Sequence, residues 1–345
     1  METSIQKLLR RNIASFKAYS SARQEFDGKG MIFLDANENP NENGVNRYPD
    51  PQQEQLKKLL SLKNEVSTEQ IVVGNGSDEI LDLIIRAFVS PGKEGMISLK
   101  PSYGMYKVLA ELNDVFLDEI PFEEDFEINI ENLLDAVRPE TKLMLLCSPN
   151  NPTGKSLSLE QIENLLDRFQ GVVVVDEAYI DFSNSPSAVS ILRRQPRLIV
   201  CQTLSKAYAM AGLRVGYAMA SPQITRVLNA IKPPYNVNTL SQEKAIELLR
   251  DKETFEAQLE QSNTERDFLL KALKYVPIVK KVYPSEANFI LFEVANAELR
   301  YKQLKSEGIV VRNRNKDFGC KNCLRLSVGL PEQNIKFIKT LNSLK

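Results

Sequence analysis

Val172-Val-Val-Val-Val-Asp176 is apolar at every position until its last residue, a carboxylate. A run without alternation, made of β-branched residues, reads as a strand buried on both faces. Similar runs lie on either side of it. Lys142-Cys147, Val115-Ile120, Gly95-Leu99 and Ile71-Val73 precede it, and Leu198-Gln202 and Val215-Ala220 follow. Helical patterns separate several of them, as in Glu79 to Phe88 and Leu159 to Phe169. Strands of this kind alternating with helices predict an α/β fold: a mostly parallel, seven-stranded sheet covered by helices on both faces. Ligands in such sheets bind beyond the carboxyl ends of the strands. The residues that follow each run are therefore the first place to look for chemistry.

The pattern changes past Lys232-Pro-Pro-Tyr-Asn-Val-Asn238. Ser241 to Tyr275 is charged and helical, with Ala245, Leu248, Leu249, Phe255 and Leu259 on one face. A strand around Asn288-Phe292, a helix from Ala297 to Ser306, strands at Ile309-Arg312 and Leu324-Val328, and a helix opening at Pro331 follow. This predicts a smaller α+β unit over residues 241–345, after a large unit over 31–240. Residues 1–30 read as an arm, with Ile5, Leu8, Leu9, Ile13 and Phe16 spaced for one face of a helix. The arm is expected to pack with the small unit and to act as a lid. Between arm and sheet, Ala36-Asn-Glu-Asn-Pro-Asn-Glu-Asn-Gly44 is too rich in turn formers for regular structure.

Composition removes several classes of function. The formal net charge is -1, and no basic extension suggests a nucleic-acid or anionic-membrane partner. No apolar run reaches the roughly 20 residues of a membrane helix, and the first ten residues lack a leader's apolar stretch, so a cytoplasmic protein is expected. The chain has no histidine, which excludes histidine-based triads and histidine metal sites. Cys147 and Cys201 fall in apolar runs. Cys320 and Cys323 precede a strand without a second ligand pair, so no metal is expected.

Four segments sit just past strands. Gly74-Asn-Gly-Ser-Asp-Glu79 opens a helix and could cradle a phosphate, or be a glycine turn capped by Ser77 or Asp78. Ser148-Pro-Asn-Asn-Pro-Thr-Gly154 is a rigid turn able to hold an amide against a ligand. Asp176-Glu-Ala-Tyr179 places a carboxylate where only a cation would make its burial tolerable, with a phenol three residues on. Thr203-Leu-Ser-Lys206 and the following Arg214 offer an amine beside a potential phosphate site. Together they supply an amine, a carboxylate, a phenol, an amide and a phosphate cradle, a set that matches pyridoxal 5'-phosphate.

With these motifs in this order, the sequence resembles the fold-type I, class I/II aminotransferases over nearly its whole length. Within that group it is most similar to the histidinol-phosphate aminotransferase family. Leu34-Asp-Ala-Asn-Glu-Asn-Pro40, Asn46-Arg-Tyr-Pro-Asp50, Pro101-Ser-Tyr-Gly-Met-Tyr106, Pro284-Ser-Glu-Ala-Asn-Phe289 and Cys323-Leu-Arg-Leu-Ser-Val-Gly329 carry that resemblance. Gln202 departs from it, standing where the family usually has arginine, and Tyr208-Ala-Met210 departs as well.

The resemblance implies roles. Lys206 would bind the cofactor aldehyde and move the substrate proton, with its pKa lowered by its surroundings. Asp176 would pair with the ring nitrogen. Asn151 and Tyr179 would bond the ring oxygen, and Tyr103 would stack on the ring. Gly76, Ser77, Asp78, Ser205 and Arg214 would hold the phosphate. Tyr48 would reach the phosphate of a second subunit, which makes a homodimer. Tyr19, Asn37, Arg312 and Arg325 would bind the substrates, histidinol phosphate and glutamate or 2-oxoglutarate, the arginines taking either a phosphate or a carboxylate. Three other activities would share many of these motifs: threonine-phosphate decarboxylation, a broad aromatic or acidic amino-acid transamination, and cofactor binding by a non-catalytic regulator.

Overall fold

The computed structural model describes residues 5–17 and 32–344. Seven strands form one sheet: β1 (Ile71–Gly74), β2 (Gly95–Lys100), β3 (Phe116–Pro121), β4 (Thr141–Cys147), β5 (Val172–Asp176), β6 (Leu198–Thr203) and β7 (Gly216–Ala220). Their order is β1-β7-β6-β5-β4-β2-β3. Only β7 runs against its neighbours, so the sheet is mostly parallel. The carboxyl ends of β1, β2, β4, β5 and β6 therefore share one edge. Because β7 is antiparallel to β6, the lysine segment is the connection between them and both its ends are fixed in the sheet.

The helices are α1 (Arg11–Ala14), α2 (Glu54–Asn64), α3 (Ser77–Phe88), α4 (Met105–Leu112), α5 (Ile130–Asp135), α6 (Leu159–Arg168), α7 (Pro222–Ile231), α8 (Thr239–Arg250), α9 (Lys252–Ala272), α10 (Ala297–Ser306) and α11 (Pro331–Ser343). Alternate residues of β5 serve opposite cores. Val173 and Val175 pack with Leu56 and Leu60 of α2 and Ile162 and Leu165 of α6. Val172 and Val174 pack with Ile80 and Ile84 of α3 and Leu109 of α4. Two apolar faces are why the strand shows no alternation in its sequence.

A second, antiparallel sheet has the order β10-β11-β9-β8, from β8 (Val279–Val282), β9 (Phe289–Val294), β10 (Arg312–Asn313) and β11 (Cys323–Ser327). Its core joins Ile290, Phe292, Leu324 and Leu326 to Leu269 of α9, Leu304 of α10 and Phe337 of α11. Leu291, Cys320 and Cys323 instead enter the large sheet's core. Cys320 and Cys323 flank a turn closed by the Cys323 N–H on the Cys320 carbonyl, 2.9 Å.

Three expectations change. The helical stretch 241–275 is two helices, broken at Asp251, whose carboxylate caps α9 through the Thr254 N–H. The strand expected at Ile309–Arg312 shrinks to β10. The arm is not one helix over Ile5 to Phe16: a 3-10 turn at Gln6–Leu8 and the short α1 are separated by an extended Leu9 and Arg10. Nor do residues 5–17 pack with the small unit. Ile5 is buried in the core with α3 and α7, and the Arg10 N–H donates to the Ala87 carbonyl, 2.9 Å. A largely apolar face of the large unit was available to these residues, and they took it.

Candidate active site

The loops leaving β1, β2, β4, β5 and β6 converge at the shared edge. Asn150 ties two of them together: its amide donates to the Pro101 carbonyl, 3.0 Å, and its oxygen accepts from the Ser102 hydroxyl, 2.8 Å. The next residue, Asn151, donates to the Tyr179 hydroxyl at 3.2 Å. Tyr179 is buried edge-on against Phe289 of β9, ring centroids 5.1 Å apart.

Asp176 ends β5 and is buried. Its carboxylate accepts from the Tyr106 hydroxyl, 3.0 Å, and from the Ala178 N–H, 3.2 Å. No cation pairs with it among the described residues, and burial pushes its pKa up to about 6 against the Tyr106 hydrogen bond. A cationic ligand group here would restore the ionised carboxylate.

Lys206 lies in the β6–β7 connection. The Leu204 N–H donates to Val215, 3.0 Å, and the Met210 N–H donates to Leu204, 3.1 Å, closing the loop around it. Its Nζ stands 5.7 Å from the Tyr179 ring centroid, and the residue is partly exposed. Partial desolvation, then the Arg325 charge, lowers its pKa, opposed by Asp176 and Asp78. Partial burial and a neighbouring guanidinium both act against its ammonium form.

A helix start and an arginine able to take an anion lie next to it. α3 starts at Ser77, with Gly76 at its N-cap and no side-chain cap, so neither Ser77 nor Asp78 is the cap. The first N–H groups of α3 are left for another acceptor. Gly76 has φ +86°, and a Cβ there would lie 2.6 Å from Arg214 Nη2. Arg214 Nη2 is 3.6 Å from Asp78 Oδ2, and the Tyr103 hydroxyl donates to Asp78 Oδ1 at 3.0 Å. The Thr203 hydroxyl links Ser205 Oγ, 3.0 Å, to this end of the loop.

On the small sheet, Arg312 and Arg325 are register partners across β10 and β11. Arg325 Nη1 donates to Asn151 Oδ1, which joins the two sheets at the site, and Arg325 Nε has no hydrogen-bond partner among the described residues. Both arginines line a cavity of about 610 Å³ with Arg314, Lys316, Asp317 and Tyr301.

Lys206, Asp176, Tyr179, Asn151, Tyr103, Gly76, Ser77, Asp78, Ser205, Arg214 and Arg325 are thus brought together, and Arg312 lies alongside. Tyr48 is half-exposed and stacked on Tyr235, centroids 4.5 Å apart. Asn37 is exposed, with φ +56° and no hydrogen bond to these groups among the described residues. Tyr19 lies outside the described residues. Sequence reasoning missed Tyr106 and Arg314. Tyr106 falls three residues after Tyr103 on the buried apolar face of its helix, with Leu109 and Ala110, which hides its hydroxyl. Arg314 follows Arg312 by two, a period that marks one face of an extended segment.

A fold of this kind, with an amine, a buried carboxylate and an anion cradle at one edge, defines a cofactor-dependent transferase. The family is equally clear: residues 31–339 match the model for "Aminotransferase class I and II", and the chain belongs to that family. Its relatives include the histidinol-phosphate aminotransferases of Flavobacterium johnsoniae, 51% identical over 99% of this chain and 98% of that one, and of Christiangramia forsetii, 49% identical with the same coverage. Among solved structures, the histidinol-phosphate aminotransferase of Clostridium acetobutylicum is similar with a TM-score of 0.80 and 27% identity, over 86% of this chain and 90% of that one.

Proposed function

We propose that this enzyme transaminates L-histidinol phosphate with 2-oxoglutarate, reversibly, giving imidazole acetol phosphate and L-glutamate in histidine biosynthesis. The observation that carries the reading is the Arg325–Asn151 contact, which sets an anion-binding arginine beside the groups at the edge of the large sheet. Relatives near half identity over the whole chain support the choice of substrate.

Pyridoxal 5'-phosphate fits the residues present. The unpaired buried carboxylate of Asp176 would hold the ring nitrogen, Asn151 and Tyr179 the ring oxygen, and Tyr103 a ring face. The uncapped start of α3, Ser205 and Arg214 would hold the phosphate. When bound, the group supplies an electron sink for the bond broken at the substrate carbon. Asp176, as a carboxylate, would be the partner for a protonated ring nitrogen. Lys206 would hold the cofactor aldehyde, and its Nζ, once displaced from that aldehyde by the substrate amine, would be the base placed to take and return the proton of the substrate carbon, which its lowered pKa favours. Arg325 binds the carboxylate of glutamate or the phosphate of histidinol phosphate, with Arg312 as its neighbour and Asn37 and Tyr19 as further substrate contacts.

The reading includes a cytoplasmic homodimer and a division near residue 240. Ile32 and Leu34 are each 87% exposed and Leu240 63%, Leu240 lines a cavity with half-exposed Tyr48, and apolar exposure of this kind supports a second copy. Among the described residues no helix is long and apolar enough to cross a membrane.

Titrating the cofactor-loaded protein with histidinol phosphate tests the reading. The visible band of the lysine-bound cofactor should disappear and return with 2-oxoglutarate. A band that persists, with carbon dioxide released from threonine phosphate instead, would overturn it.

A further inference from the structure

Glu177 follows Asp176, is equally buried, and has no part in the reaction above. Its carboxylate accepts from the Ser187 hydroxyl, 2.6 Å, the Ala188 N–H, 2.7 Å, and Gln202 Nε2, 2.8 Å. The Gln202 oxygen in turn accepts from the Tyr217 hydroxyl, 2.7 Å, and from Lys63 Nζ, 3.3 Å. Asn64 donates to the Tyr217 hydroxyl at 3.3 Å. Lys63 Nζ also pairs with Asp181 Oδ1 at 3.1 Å, and it stands 5.5 Å from the centroid of Tyr208. Tyr208 stacks on Phe255 of α9, centroids 4.0 Å apart.

This network joins the end of α2 to the ends of β5 and β6, the start of β7 and the lysine loop. Its charges are two carboxylates, Glu177 and Asp181, and one ammonium, Lys63. Tyr208 and Tyr217 are the other titratable groups facing that ammonium. Burial pushes Glu177 up to about 7, eased by its hydrogen bonds and by Lys63. A buried carboxylate at that point is held in its charged form by its three hydrogen bonds together with a nearby cation. Gln202 is neutral, so Lys63 is the one cation hydrogen-bonded into the network among the described residues.

We propose that Lys63 is a positioning residue for the transamination: through Gln202 it balances the Glu177 carboxylate, and through its contact with Tyr208 it braces the lysine loop, fixing Asp176 and Lys206 relative to each other. The inference rests on the reading of Asp176 and Lys206 given above. Lys63 ties together the two strand ends that carry them, from outside the reacting site. A cavity of about 560 Å³ reaches it, lined by Lys63, Asp181, Gln202, Ser187 and Arg193 and rimmed by the exposed Glu65 and Ser190. A small cation can therefore enter where the lysine side chain has been cut away.

The test compares wild-type holoenzyme with Lys63→Ala, Lys63→Arg and the double variant Lys63→Ala with Gln202→Arg. Lys63→Ala should lower kcat at least about tenfold, as small misplacements of reacting groups do, with each KM within about twofold. Its acidic limb of kcat against pH should rise by about one unit as Glu177 takes up a proton. Lys63→Arg should stay close to wild type. Propylammonium should restore part of the lost kcat to Lys63→Ala only, and Gln202→Arg should restore it by placing the cation directly against Glu177. If Lys63→Ala does not fold, the double variant, with its cation moved to position 202, and Lys63→Met carry the same comparison. Wild-type kcat and pH profile in Lys63→Ala would overturn the proposal. So would a loss that tracks thermal stability and answers to neither propylammonium nor Gln202→Arg. Wild-type enzyme without histidinol-phosphate turnover would instead overturn the reading of function.

Discussion

The carboxyl edge of the large sheet and the arginine corner of the small one are built in opposite ways. At the edge, Asp176 ends a strand and Asn151, Tyr179 and Lys206 lie within a few residues of strand ends, in loops held by backbone hydrogen bonds, and Asp176, Asn151 and Tyr179 are all buried. At the corner, Arg312 is exposed, Arg325 is half-buried, and the strand that carries Arg312 is two residues long. A rigid, buried set suits one ligand that never changes, as a resident cofactor does. A wetter cluster of guanidinium groups suits two substrates whose anions differ in shape and charge. The difference separates chemistry from selection, and it can be attacked from either side.

The largest effect is expected at the edge. Lys206→Ala should lower kcat by at least about a thousandfold, since it removes both the covalent anchor and the proton carrier, as measured by single-turnover amine transfer. Asp176→Asn should follow, with kcat down about a hundredfold through loss of a fixed charge in a dry site. At the corner, Arg325→Lys should act on KM: a rise of about ten- to a hundredfold for both amino donors, from the loss of fork geometry and the Asn151 bond, with a smaller change in kcat. Equal losses in KM and kcat at both places would remove the distinction.

The smallest effect has the sharper sign. Asp176 holds its proton more tightly in the folded chain, at about 6, than at its ordinary 3.8. Burial of the charge therefore costs nothing below about pH 4 and its full amount above about pH 6, up to about 3 kcal/mol. Cofactor-free Asp176→Asn should be more stable than wild type at pH 7 and similar near pH 4, as read from urea midpoints. The substitution that disables the enzyme would thus strengthen the empty fold.

The parts legible in the sequence are those whose signal is local. Most of the seven strands show because they are apolar runs between breakers, β3 with its Asp118 and Glu119 being the exception, and the edge groups show because they lie within a few residues of those runs. β8 did not, since Val279-Lys-Lys-Val282 carries two lysines and reads as surface. The break at Asp251 hides in a stretch that is helical on both sides of it. The network of Glu177 with Gln202 and Lys63 joins residues 139 positions apart between Lys63 and Gln202. No spacing rule connects them, and Gln202 read only as a departure from a family pattern. The arm shows the converse failure: helical spacing was present in Ile5 to Phe16, but the packing surface decided both its break and its place.

The hydrogen bond from Arg325 to Asn151 makes the two sites thermodynamically dependent. An anion that draws the guanidinium toward itself changes how Asn151 holds whatever rests against it. By reciprocity, a group seated at Asn151 must change the affinity of Arg325 for that anion by the same factor. With the roles proposed above, the bond would be a small lever between the halves of a two-substrate cycle: each arriving anion would reset the grip on the cofactor, and each departure would reset it again.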